Sequence, residues 1–313
     1  MIIKVIIIKI TTLGFVLALF SGCGSDSFSQ VVEVDIPEHE SRLVLNARFS
    51  SLDTNVTVLV ANSLGILDTS GYDIPEAAKV RLFRDDELLG GDFTYWPERL
   101  KFFLALDEPL GPASHLYRME VEAPGYEPIF AEQRMPVPVP IQSLRFEKDG
   151  AIDDEGRRAD GIEIQFTDPA EEENYYALEF YYDFFVVQPE GDTIVYRNSL
   201  YASTLDQVIQ YGYTYEQLFT DKSFDGSSYT VSLYLYKGAI PDDIVPGAGL
   251  SLRLYARLYS LSRDAFLYDL SLRQYHDARD NPFAEPVTVH GNIEGGYGIF
   301  ALSSVAEASV VID

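Results

Sequence analysis

The 313-residue chain contains a single cysteine, Cys23. No disulfide can form within it, and no cysteine-built zinc site. An exported protein without disulfides must be held by core packing, which suits large domains better than small ones. Histidine is scarce as well: His39, His115, His276 and His290 are the full complement. None stands at metal-ligand spacing from another. The sequence has no G-x-S-x-G elbow, no phosphate loop and no dinucleotide fingerprint. No catalytic residue, no metal and no cofactor is therefore expected. Basic residues are few, 23 Lys and Arg against 49 Asp and Glu, for a net charge of −26. Nucleic acid is excluded as a partner, because phosphate binding is driven by Lys and Arg. Docking flat on anionic lipid by charge is disfavoured for the same reason. Excess carboxylate keeps an exported surface soluble.

What is present begins at the N-terminus. Lys4 and Lys9 sit in an otherwise apolar stretch, Met1 to Phe20, followed by Phe20-Ser21-Gly22-Cys23 and a polar run to Gln30. Basic residues that stay on the cytoplasmic side, a short apolar run and small residues before a cleavage point read as a secretory signal peptide ending in a lipobox. Residues 1–22 are then the leader. The Cys23 thiol receives diacylglycerol and anchors the chain to a membrane lipid layer, and residues 23–40 form the tether. An uncleaved anchor is the competing reading. It needs about 20 apolar residues, and Thr11, Thr12 and Gly14 weaken it.

The rest of the chain is 47% apolar when counted with the leader, enough for a packed core. From Arg42 the apolar residues alternate: Leu43, Leu45, Ala47 and Phe49, then Val56, Val58 and Val60. Period two with β-branched residues predicts strands. Further strands are expected over 79–84, from Leu88, and over 99–106, 115–121 and 128–133. About seven short strands at this spacing predict a β-sandwich. Tyr117 to Tyr126 has the form YxMxVxAxGY, which looks like the late hairpin of immunoglobulin-like or transthyretin-like modules. Met135-Pro136-Val137-Pro138-Val139-Pro140 is stiff and short of backbone donors. It is taken as the junction between an immunoglobulin-like sandwich, 41–137, and a second β-rich domain, 138–313.

The second domain shows alternation over Gly161–Thr167 and a long pattern over Asn174–Val187. There Tyr176, Leu178, Phe180, Tyr182, Phe184 and Val186 are expected to face the core, leaving Tyr175, Ala177, Glu179, Tyr181, Asp183 and Phe185 to solvent or an interface. Leu205–Tyr211 and Tyr215–Phe219 are expected as short helices. Ser262 is expected to cap a longer one carrying Phe266 and Leu270 at i, i+4. Acid clusters occur at Asp153-Asp154-Glu155, Glu171-Glu172-Glu173 and Asp242-Asp243. The Asp149–Gly161 loop lacks calcium-loop spacing. The 21 tyrosines divide between core positions and a recognition surface, with Tyr211, Tyr213, Tyr215, Tyr234 and Tyr236 the ones to watch.

The tail reads Asn281-Pro282-Phe283-Ala284-Glu285-Pro286-Val287, then Gly291-Asn292-Ile293-Glu294-Gly295-Gly296-Tyr297-Gly298-Ile299-Phe300. It resembles the end of a Bacteroidota outer-membrane lipoprotein family known only as domain of unknown function 4249, an NPF-x-EPV segment followed by x-N-I-x-G-G-x-G-I-F. The Ser262-x-x-x-Phe266-x-Tyr268 stretch, Asp221 to Tyr229, Phe166-Thr167-Asp168-Pro169 and the lipobox match its general pattern, so the resemblance covers essentially the whole mature chain. It transfers no catalytic residue. Its members resemble accessory lipoproteins often encoded beside TonB-dependent receptors, and that implies such a receptor as partner. Gly295, Gly296 and Gly298 are read as a strand passing close to another backbone, because no helical pattern follows to make a phosphate loop.

The reading is a non-enzymatic, outer-membrane-anchored binding or accessory protein. An exported glycosidase-like hydrolase using two carboxylates and a cell-surface adhesion module are the alternatives. The ligand and the membrane face stay open.

Overall fold

Alternating β-branched, aromatic and aliphatic residues become strands throughout. The computed structural model describes residues 38–111, 114–187, 193–215, 217–240, 252–279, 281 and 283–312. Cys23, the leader and most of the tether lie outside them, as does Asp242-Asp243. The strands are β1 (Leu43–Ser50), β2 (Asn55–Asn62), β3 (Lys79–Arg84), β4 (Glu87–Asp92), β5 (Thr94–Trp96), β6 (Lys101–Ala105), β7 (Leu116–Glu122) and β8 (Ile129–Arg134). After the proline-rich segment come β9 (Ile141–Ile152), β10 (Arg158–Thr167), β11 (Tyr175–Val187), β12 (Thr193–Leu200), β13 (Gln217–Thr220), β14 (Ser228–Leu235) and β15 (Leu252–Leu261). Helix α1 (Arg263–Arg279) and β16 (Tyr297–Ile312) complete the chain. The fold is mainly β, and among the described residues no helix is long and apolar enough to cross a membrane.

A nine-stranded sheet has the order β12-β11-β15-β16-β1-β2-β6-β5, with β13 also on β11. Two smaller sheets, β14-β10-β9 and β4-β3-β7-β8, stand beside it. The last strand joins the large sheet together. Its first part runs parallel to β1, from Val44↔Tyr297 to Ser50↔Ser303. Its second part runs antiparallel to β15, from Leu261↔Ser303 to Leu252↔Ile312.

Two cores form on this frame. Leu43, Leu45, Val58 and Val60 of the large sheet meet Val80, Leu82, Tyr117, Met119 and Val121 of the β3–β8 sheet. Tyr176, Leu178, Phe180 and Leu258 meet Ile162, Ile164, Phe166 and Val231. The cores part at the proline-rich segment: Met135 lies in the first and Val139 in the second. The segment is stitched down, because the Pro136 carbonyl accepts the Ser304 hydroxyl and the Val139 N–H donates to Ser260 Oγ at 3.3 Å. Residues Ser41–Asp313 form one compact unit. The junction at 137/138 thus marks a change of core within a sheet that continues across it.

On β11 the expected core face is buried at Tyr176, Leu178, Phe180 and Tyr182, with Phe184 half-buried against the same core. The opposite face is more closed than its mixed composition suggests. Ala177 lies beneath α1 with Leu218, Tyr259, Leu261 and Phe266. Tyr181 stacks on Tyr255 at 4.7 Å, and the Arg197 guanidinium sits 4.2 Å over the Tyr181 ring. Arg197 also grips the buried Asp183 with two 2.8 Å bonds. That hydrogen bonding holds the Asp183 carboxyl below its ordinary range despite burial. Flat guanidinium groups therefore cover rings that alternation alone assigns to solvent.

Two local expectations change. Gln217–Thr220 is a strand, paired with Tyr175–Leu178, because a free edge of β11 is there to receive it. Leu205–Tyr211 forms turns and a bridge at Gln210↔Leu218. The Ser262 cap is as expected: its hydroxyl accepts the Ala265 N–H at 3.3 Å.

Candidate functional site

The site grows out of one buried carboxylate. Asp269 projects from α1 and is fully buried. It accepts the Thr214 N–H at 2.9 Å and the Tyr215 N–H at 3.3 Å, and pairs with Arg48 of β1 at 3.5 Å. The loop over residues 212–215 is thereby pinned against the helix, and Gly212 is required because a Cβ there would run into the Asp269 carboxylate. Arg48 gives a second bond to the Thr214 hydroxyl at 2.5 Å, and its guanidinium stands 4.9 Å over the Tyr268 ring.

Below this loop lies a cavity of about 190 Å³. Arg48, Ser50, Asp53, Tyr215, Tyr259 and Ser303 are its polar lining, over a floor of Phe49, Leu261, Ala265 and Leu302. Four segments distant in sequence supply it: β1 with its turn, the 212–215 loop, the β15–α1 junction and β16. Asp53 Oδ2 accepts the Ser50 N–H at 2.7 Å and so closes the β1–β2 turn. Burial nonetheless raises the Asp53 carboxyl above its ordinary range. Tyr215 is partly buried, and burial pushes its hydroxyl up to about 12. The Tyr215 and Tyr259 rings are 4.9 Å apart, and Tyr215 also lines a second cavity of about 130 Å³ with Glu179, Ser199, Tyr201 and Gln217. Glu179 accepts the Tyr259 hydroxyl at 2.6 Å. This convergence of perturbed groups makes the concave site the candidate binding pocket.

Of the residues singled out from sequence, Tyr215 lines this cavity, and the histidines fall elsewhere. His115 pairs with Asp85, His276 stacks on Tyr213 at 4.6 Å, and His290 bonds Asp264 at 2.7 Å. Among the described residues the one group of three metal-type ligands is Asp168, Asp221 and Asp225, with ligand atoms within 4.8 Å of one another. Asp168 accepts the Tyr176 hydroxyl at 2.5 Å and the Gly226 N–H at 2.9 Å. Asp221 accepts the Asn174 N–H at 2.8 Å and its side-chain amide at 3.2 Å. Burial, then the neighbouring carboxylates, raises Asp168. The trio works as a hydrogen-bonded corner that fastens the Phe166–Pro169 and Asp221–Tyr229 stretches together.

The stretch expected as a loop over Asp149–Gly161 is instead the end of β9, a turn over 153–157 and the start of β10, because the two strands stay paired to Ile152↔Arg158. At that turn Asp153 accepts the Glu155 and Arg157 amides and the Arg157 side chain. On the β9–β10 face a cavity of about 360 Å³ has Glu147, Glu163 and Arg145 in its lining. Both glutamates are exposed. The tyrosines divide: Tyr234 is buried, while Tyr236 and both Tyr211 and Tyr213 are about half exposed.

The glycine-rich tail is structural. Gly298 lies opposite Leu45 in the β1–β16 pair with φ +105°, and Cβ atoms on Gly296 and Gly298 would strike the Leu43 and Leu45 carbonyl oxygens. Asn292 holds the Phe300 N–H and C=O at 2.8 Å each. Sequence reasoning found this close approach through its glycines, but not Asp269 or Arg48, which look like ordinary surface charges.

A family model described as a domain of unknown function, DUF4249, matches residues 30–309, and the chain belongs to that family. A search of curated proteins finds no match.

Proposed function

We propose that this member of the DUF4249 family is a Bacteroidota lipoprotein of the outer membrane: a non-enzymatic binding protein held by a lipid on Cys23 and acting beside a TonB-dependent transporter. The observation that carries the reading is the Lys4/Lys9 apolar leader ending in Phe20-Ser21-Gly22-Cys23. The transporter rests on the tail resemblance. Binding is supported by the Arg48–Asp53 cavity, which offers recognition groups without a nucleophile–base pair. The N-terminal sandwich is read as immunoglobulin-like: two facing sheets share one core, and the buried Tyr117 hydroxyl reaches back to the Leu110 carbonyl at 2.5 Å.

The hydrolase alternative has one foothold, Glu147 and Glu163 on a shared wall. Both are exposed, whereas the hydrolase reading calls for a deep acidic cleft around the scissile bond.

Cys23→Ala should move a folded protein from the membrane to the soluble fraction, read by fractionation and immunoblotting. Retention in the membrane would make Met1–Phe20 a spanning anchor. Mild detergent extraction of the wild type should bring a barrel receptor with it; preparations that consistently lack one would remove the transporter from the proposal.

A further inference from the structure

Arg48 and Asp53 line the same cavity, yet the ion pair of Arg48 is with Asp269 and Asp53 bonds its own turn. Each therefore has capacity left over. Arg48 donates through Nη1 to Thr214 and Asp269, and a guanidinium has five N–H donors in all. Asp53 uses Oδ2 for the Ser50 amide, which leaves Oδ1 as an acceptor. A cation and a carboxylate thus share one small cavity without neutralising each other. Ser50, Ser303 and Tyr215 belong to the same lining, together with the apolar Phe49, Leu261, Ala265 and Leu302.

From this arrangement we propose that the cavity binds a small zwitterion of the α-amino-acid class, its carboxylate on Arg48 and its ammonium on Asp53, with an aliphatic side chain on the apolar floor. The inference rests on the binding-protein reading and names its ligand class. Three physical points support it. Arg presents paired donors that match a carboxylate. A half-buried carboxylate gains a partner that favours its charged form. A ligand with no net charge also escapes the field of a chain carrying −26, which opposes any free anion approaching Arg48. Size agrees. A cavity of about 190 Å³ holds the share of roughly six waters, which fits a single small amino acid.

The test is titration calorimetry of the detergent-extracted full chain with L-alanine and two probes that each delete one charge: propionate, without the ammonium, and ethylamine, without the carboxylate. L-alanine should bind, and each probe should bind at least tenfold more weakly. Asp53→Asn keeps an acceptor for the Ser50 amide. It should weaken L-alanine at least tenfold and should not weaken propionate, because it removes a negative charge from the cavity. Arg48→Lys keeps the charge and should weaken L-alanine less than Arg48→Met does, with circular dichroism confirming that each variant is folded. Propionate binding as tightly as L-alanine, or no heat from L-alanine at millimolar concentration, would overturn the inference. Either result leaves the Cys23 test untouched, so failure here is separable from failure of the lipoprotein reading.

Discussion

Asp269→Ala should destabilise the protein by about 2–4 kcal/mol, most of it from two backbone amides left without their acceptor. The carboxylate is fully buried and accepts the Thr214 and Tyr215 amides while pairing with Arg48. Alanine leaves two backbone N–H groups at a part-buried site without their acceptor, while Arg48 keeps the Thr214 hydroxyl. Each stranded donor costs about 1–3 kcal/mol. Arg48 is about one-third exposed, at 36%, so its share is the smaller one. Asp269→Asn retains one acceptor oxygen and should lose about half as much. The measurement is the denaturant midpoint followed by tyrosine fluorescence. A loss below about 1 kcal/mol would mean that the 212–215 loop is not held by this carboxylate. Because Tyr215 of that loop lines the Arg48–Asp53 cavity, the alanine variant should weaken ligand binding even where it stays folded.

Gly298→Ala should be the most damaging glycine-to-alanine change among the described residues. Two effects add. The residue has φ +105°, a conformation that costs an L-residue about 1–3 kcal/mol. The new Cβ would also strike the Leu45 carbonyl oxygen, a backbone atom fixed in the β1–β16 pair. Gly91 separates the two. It has φ +97° with nothing within 4 Å of a built Cβ, so Gly91→Ala reports backbone strain alone. Gly298→Ala is expected to exceed it by at least about 2 kcal/mol, the scale of overpacking a tight core. Equal midpoints for the two variants would show that β1 and β16 can separate without penalty, and that the parallel pair does not hold the large sheet together.

Most strands were legible because alternation is a local property. Leu43–Phe49, Gly161–Thr167 and Asn174–Val187 carry period two on their face, and Ser262 announces α1 by its hydroxyl. The β1–β16 pairing was not legible. Val44 and Tyr297 meet across most of the chain's length, and nothing near either residue records it except the glycines that permit the approach. Gln217–Thr220 reads as a helix in isolation, since its strand state depends on the waiting edge of β11. The cavity was the least legible part. Arg48 looks like the outward residue of an alternating strand and Asp269 like a solvated helix acid. Only tertiary packing brings them to the Thr214–Tyr215 amides. The tail glycines gave a sound structural signal and no chemical one.

The account stands on the lipid. Intact-mass spectrometry of the protein extracted from membranes tests it directly. The prediction is a chain that begins at Cys23, lacks residues 1–22 and carries the added mass of a diacylglyceryl group on that cysteine. A full-length chain from Met1, or a cleaved chain with a free Cys23 thiol, would contradict it.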